Sequence, residues 1–315
     1  MIASRTALHL NDVFLLLFGW GGKTAINGFV FITGYFMCTS KITVKKFCKL
    51  FFEIELYKIS IYLIFLIFGV QQFSFSGLLK TVIPIYDIGT GFSSCFLIFF
   101  CLIPFVNILI KAMSERQHRI LCIFTIGIFS VLPTLPGFNV TFNYVEWFII
   151  LYLIASYVRL YPISLFNSTK FWGFVSLCCL IISWASVVVL AYFSAYGYYY
   201  FVVDCNKILA LATAFAAFMF FKNVKIRQNK FINTVSSATF GVLLIHANSD
   251  AMRQWLWGDL LNNVGYYDNG IWVVAHAVLS VVGVYAVCTA VDLLRIKFLE
   301  RPFFNKLSNK FTFFR

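Results

Sequence analysis

The sequence predicts an all-α, polytopic bundle of about nine membrane-spanning helices, on three observations. Hydrophobic residues make up 61% of the chain and charged residues only 12%, about half the charged share of a soluble domain. Apolar runs of about 16–24 residues recur along it, the length of a helix crossing the hydrocarbon core rather than of a barrel strand. Of 25 Lys and Arg, 19 fall in five segments, 40–49, 111–119, 159–170, 222–230 and 295–315. These alternate with connections nearly free of basic residues. Positive charge marks the cytoplasmic side, so the C-terminus is expected inside. With an odd number of spans, the N-terminus is expected outside.

The runs are 23–39, 51–70, 91–110, 120–133, 144–160, 171–193, 206–221, 236–250 and 271–294. Ahead of the first lies a shorter apolar stretch, Val13 to Trp20. It is too short to span and is expected outside the membrane. Gly21, Gly22 and Lys23 follow it with no small-residue cleavage site, so it does not read as a signal peptide. Basic residues then close the first run at Lys41, Lys45, Lys46 and Lys49. Pro104 lies inside the third run and predicts a kink; Pro84, Pro133, Pro136 and Pro162 fall in or near connections. The 134–143 connection carries no Lys or Arg. After the eighth run, 251–262 reads as an amphipathic continuation of the same helix, with Trp255 and Trp257 at an interface. No internal repeat is visible, and 1–315 reads as one membrane domain, expected in the cell membrane.

The net charge of +13 is accounted for by topology and lipid headgroups, which argues against a nucleic-acid partner. Nine cysteines are present without a CxxC, so neither a metal site nor a disulfide framework is expected. P-loop, GxGxxG, GxSxG and HExxH motifs are absent.

Ionisable and amide groups inside a span are costly, so each is a candidate for function. His246 stands in the eighth run with Asn248, Asp250 and Arg253 close behind it. His246 and Asp250 are four residues apart, which places them on one helix face. A His, Asn, Asp and Arg near one membrane face can bind a polar substrate or move protons. Glu146 and Trp147 open the fifth run, and Glu146 is expected on the same side as Asp250. Lys41, Lys45, Lys46 and Lys49 make a cytoplasmic patch able to hold phosphates. Glu53, Glu55 and Lys58 read as a structural charge cluster. Asn27, Gly28, Thr33 and Gly34 give the first run small residues for close helix approach.

Four stretches together resemble the acyltransferase family 3 membrane proteins, which include bacterial O-acetyltransferases of surface polysaccharides. Thr33-Gly34-Tyr35, ahead of the basic segment, is similar to the end of the family's second span. Trp147-Phe148 is similar to its Trp-Phe span entry. Phe240-Gly-Val-Leu-Leu-Ile-His246 is similar to its Gly-Ile-Tyr-Leu-Ile-His segment, and Phe298-Leu-Glu-Arg-Pro302 to its cytoplasmic ending. The motifs are short, but their order and spacing cover nearly the whole chain.

The resemblance implies transfer of an acyl group, usually acetyl, from cytoplasmic acyl-CoA to a hydroxyl of a carbohydrate acceptor. Acetyl-CoA is then a donor substrate, and no bound cofactor is implied. The family has ten spans. Its first carries an Arg or Lys and, about eleven residues later, the His taken as general base. Arg5 and His9 have the wrong spacing for that pair. The chain is therefore expected to be such a domain lacking its first helix, through a misassigned start or a truncated gene, with His246 as the candidate base. An inactive remnant is the alternative within that class. A transporter or flippase of lipid-linked sugars and a sugar polymerase are the other classes.

Overall fold

The computed structural model describes residues 9–88, 91–193, 197–267 and 269–311. Its helices are α1 (Leu10–Gly19), α2 (Gly22–Met37), α3 (Val44–Ile67), α4 (Phe75–Val82), α5 (Phe92–Ala112), α6 (Glu115–Ile126), α7 (Leu132–Thr134), α8 (Tyr144–Leu160), α9 (Thr169–Tyr192) and α10 (Ile208–Asn223). They continue with α11 (Lys230–Ser237), α12 (Thr239–His246), α13 (Asp250–Arg253), α14 (Trp272–Arg295) and α15 (Arg301–Lys310). Every regular element among the described residues is helical, as the composition predicts.

Five continuous helical runs are long and apolar enough to cross a membrane: Leu10–Met37, Phe92–Ala112, Glu115–Thr134, Thr169–Tyr192 and Trp272–Lys310. The sequence expectation of about nine includes further helices that fall short for separate reasons. α3 has 24 residues, about 36 Å at the helical rise, but Glu53, Glu55 and Lys58 interrupt its apolar face. α8 and α10 have 17 and 16 residues. The eighth run forms only an eight-residue helix, α12, before it breaks.

The stretch Val13–Trp20 also differs from expectation. It lies within a helical run of 28 residues, Leu10–Met37, because the chain starts a helix earlier than its apolar pattern does. The His9 backbone N–H donates to Asp12 Oδ2 at 2.9 Å, closing a capping box, and Asp12 is buried. Leu16 then packs with Val187 and Val202, and the Tyr199 hydroxyl donates to the Leu16 carbonyl at 3.1 Å.

The fold resolves into two compact units, where the sequence reads as one domain. The first takes Met1–Lys41 and Leu102–Ile226, and the second Ile42–Cys101 and Arg227–Arg315. In the first unit α8 is central: Trp147, Phe148, Leu151, Tyr152 and Ala155 are all buried. α2 packs against α8 and α10, and α10 against α9. The α2–α8 approach requires Gly34. A Cβ there would lie 2.9 Å from Ala155 Cβ and 3.1 Å from Tyr152 Cα. Gly34→Leu is therefore expected to cost about 1–3 kcal/mol through overpacking. Gly28, which has nothing within 4 Å of its virtual Cβ, should accept leucine with far less effect. Thermal melts of the two variants in detergent, side by side, check this.

In the second unit, α12 packs on α3 and α14, and α4 returns against α3. Phe65, Met252 and Leu256 form a core with Ile245, Trp255, Trp257, Leu261 and Val284 around it. This core ties the C-terminal end of α3 to α12, α13 and α14. All nine cysteines are free.

Candidate functional site

The sequence candidates divide between the units: Glu146, Trp147 and Lys41 in the first, and His246, Asn248, Asp250, Arg253, Lys45, Lys46 and Lys49 in the second. Glu146 is exposed in the first turn of α8, where the helix dipole favours a carboxylate. Trp147 is buried, and its indole N–H donates to Asn27 Oδ1 at 2.8 Å. The Asn27 amide in turn donates to the Cys205 carbonyl at 2.7 Å. These bonds satisfy the buried polar atoms of both side chains and fasten α8 to α2, the packing role that Asn27 shares with Gly34.

His246 is the last residue of α12, and Ala247 caps the helix. Its Nδ1 lies 2.6 Å from the Val242 carbonyl, one turn back. A carbonyl only accepts, so Nδ1 carries the proton and Nε2 holds the lone pair. In the neutral imidazole Nε2 is then the nitrogen left to accept a proton.

The expected sharing of one helix face by His246 and Asp250 is not what the chain does. The helix ends at His246 and restarts after Ser249, whose hydroxyl accepts from the Met252 N–H at 3.1 Å. The Asn248 amide donates to the Leu244 carbonyl at 3.1 Å, folding back on α12. Asp250 and Arg253 pair with each other at 2.8 Å, with the Asp250 side chain 98% exposed. An exposed pair of this kind contributes little to stability. Residues after Arg253 continue as a π-helical stretch, Gln254–Leu260, so the predicted continuation is a separate helix docked through Met252 and Leu256.

At the other end of α3, Thr43 caps the helix by accepting from the Lys46 N–H at 3.3 Å. Lys41 and Lys46 are exposed and Lys45 is half-buried. Lys49 is committed elsewhere: its ammonium pairs with Glu300 Oε1 at 2.9 Å.

Lys49 opens a buried polar network of which the sequence marks only Lys49 and Glu53. Lys49, Glu53 and Tyr57 succeed one another at four-residue intervals along one stripe of α3, facing Asp292 and Arg295 of α14. The Arg295 side chain is 4% exposed and touches three carboxylates: Glu53 at 3.0 Å, Asp292 at 2.6 Å and Glu300 at 2.7 Å. The Tyr57 hydroxyl donates to Asp292 Oδ1 at 2.7 Å. Gly241 of α12 sits directly against Asp292, and any Cβ there would strike the carboxyl group. Glu53 is therefore paired with Arg295, whereas Glu55 Oε1 and Lys58 Nζ are buried without hydrogen-bond partners. The readable signal was the stripe at 49, 53 and 57; its partners lie more than 230 positions away in the sequence.

No cluster of three or more His, Cys, Asp or Glu able to hold a metal occurs among the described residues. No family model, curated protein or solved structure matches the chain.

Proposed function

We propose that the chain is a multi-pass membrane acyltransferase that O-acetylates a cell-surface polysaccharide, or its lipid-linked precursor, from cytoplasmic acyl-CoA. The observation that carries this reading is His246, an imidazole held with Nε2 as its basic atom at one end of the second unit. Lys45 and Lys46 stand at the opposite end of α3. From Lys45 to the Phe65 end of the helix is about 20 residues, or ~30 Å, the thickness of the hydrocarbon core. In this reading Lys45 and Lys46 lie on the donor side and His246 on the acceptor side. The order of the sequence motifs supports the same class.

In this mechanism His246 Nε2 takes the proton of the acceptor hydroxyl as its oxygen attacks the thioester carbonyl carbon. The carbon–sulfur bond then breaks, and the CoA thiolate leaves and is protonated. Lys45 and Lys46 would hold the CoA phosphates. The reading includes a nine-span topology in the cell membrane, with the N-terminus outside and the C-terminus inside. Reporter fusions test this: a cytoplasm-active reporter at the C-terminus and an export-dependent one at the N-terminus should both be functional, and the reverse pattern would overturn the orientation. The function is tested in cells by deleting the gene and measuring polysaccharide O-acetyl content, which should fall and return with the wild-type gene.

One observation favours a second reading, transport of a lipid-linked sugar. Midway along α3, Glu55 Oε1 and Lys58 Nζ are buried without hydrogen bonds, a placement typical of groups lining a polar path. Movement of a labelled lipid-linked sugar across vesicles without acetylation would favour it.

A further inference from the structure

Another histidine of the second unit, His276, is held by a side chain and an aromatic ring together. His276 lies in the second turn of α14, with its Nε2 3.0 Å from Asn263 Oδ1. Ser280 Oγ lies 3.5 Å from the same nitrogen, one turn further along. The Tyr266 ring stacks flat on the imidazole, with centroids 3.9 Å apart and planes 5° from parallel. The connection from α13 is itself fixed. Asn262 takes a left-handed conformation, φ 45°, which asparagine tolerates, and the next residue, Asn263, donates its N–H to the Trp257 carbonyl at 3.1 Å. Trp257 and Leu261 belong to the apolar cluster that also includes Ile245, the neighbour of His246.

Asn263 Oδ1 accepts, so His276 Nε2 carries the proton and Nδ1 is left with its lone pair. Nδ1 has no partner among the described residues, and the side chain is only half-buried. Orientation, tautomer and ring plane are thus all set, while Nδ1 is left without a hydrogen bond among the described residues. Tyr266 is 39% exposed, so part of its surface is not covered by the stacked imidazole.

Charge narrows the ligand class. No Lys or Arg occurs anywhere in 254–294, whereas Asp259, Asp268 and Asp292 do. Phosphate or an acidic headgroup would find no cation supplied by this stretch. A neutral, hydroxyl-rich molecule suits it: its C–H faces pack on an aromatic ring and its hydroxyls donate to the open nitrogen and the amide.

We infer that His276, Asn263 and Tyr266 form a binding ledge for a neutral saccharide, the acceptor of the transfer proposed above, on which the acceptor role depends. His276 is a binding residue here: its Nδ1 accepts a hydrogen bond from a sugar hydroxyl, and Tyr266 supplies the stacking surface.

The test uses the full chain with ¹⁵N-labelled histidine in lipid nanodiscs, the His276 signal being assigned by its loss in His276→Gln. The signal should report a protonated Nε2 and an unprotonated Nδ1. It should move on adding millimolar glucose, galactose and N-acetylglucosamine, and move less in Tyr266→Ala. In transfer assays His276→Gln should raise the acceptor KM about tenfold, the effect of one lost hydrogen bond, with kcat little changed. A protonated Nδ1, or a signal unmoved by the sugars while wild-type protein transfers acetyl groups, overturns the ledge alone. Sugar-induced movement in a protein that transfers nothing leaves the ledge standing and overturns the acyltransferase reading.

Discussion

Arg295→Met is expected to lower the melting temperature sharply, by far more than any single surface-charge substitution. The side chain is 4% exposed and touches Glu53, Asp292 and Glu300. Methionine fills much of the volume but leaves three carboxylates with one remaining ammonium, that of Lys49. Removing one partner of a buried ion pair costs about 3–5 kcal/mol because the other charge stays buried without compensation. Here three anions lose a shared cation, so the upper end applies. Protonation or rearrangement of the carboxylates offsets part of this, and neutralising them directly should offset more. The variant Arg295→Met with Glu53→Gln and Asp292→Asn should recover a large part of the lost stability. Thermal melts in detergent check both. An Arg295→Met protein as stable as wild type would show that the network contributes nothing net, and failure of the combined variant to recover would mean that hydrogen-bond geometry, not charge, dominates.

The second large effect is on turnover. His246→Gln is expected to lower the kcat of acetyl transfer by about 10²–10⁴-fold, the range for losing a positioned general base. Glutamine keeps a hydrogen-bonding side chain but cannot take the hydroxyl proton. The KM for acetyl-CoA should change little, since the donor phosphates are assigned to the other end of α3. Replacing Lys45 and Lys46 by alanine should do the reverse, raising that KM with a smaller change in kcat. This opposite split separates base from phosphate contacts in a way that a general loss of folding would not.

How much of this was legible in the sequence depends on whether the signal was local. The run 144–160 coincides with α8 because both of its ends are written nearby. Asn143 caps it, accepting from the Val145 N–H at 2.8 Å, and the last turn carries Arg159 with Pro162 beyond. The start of α1 was missed because His9 and Asp12 act as a polar cap, which an apolar count discards. The break after His246 was missed because the apolar pattern runs on through Ala247. Its local sign was Ser249 followed by Asp250, a capping residue before a first-turn acid.

The polar network was half legible. Lys49, Glu53 and Tyr57 announce a polar stripe on α3, but only the tertiary fold brings Asp292 and Arg295 to it. His276 gave no sign, because Asn263 and Tyr266 reach it through a loop whose path depends on the left-handed Asn262. His246 was picked out as a lone histidine in an apolar run, and the structure ends the eight-residue α12 on it. Which of its nitrogens faces the backbone could be read only from the Val242 carbonyl.

The central claim is acetyl transfer dependent on His246. The direct measurement is purified chain in lipid vesicles, given acetyl-CoA labelled in the acetyl group and polysaccharide from the same cells with its O-acetyl groups removed by mild base. Alkali-labile label is expected on the polysaccharide with wild-type protein, and at least hundredfold slower labelling with His246→Gln. Labelling at the same rate by both proteins, or by neither, would contradict it.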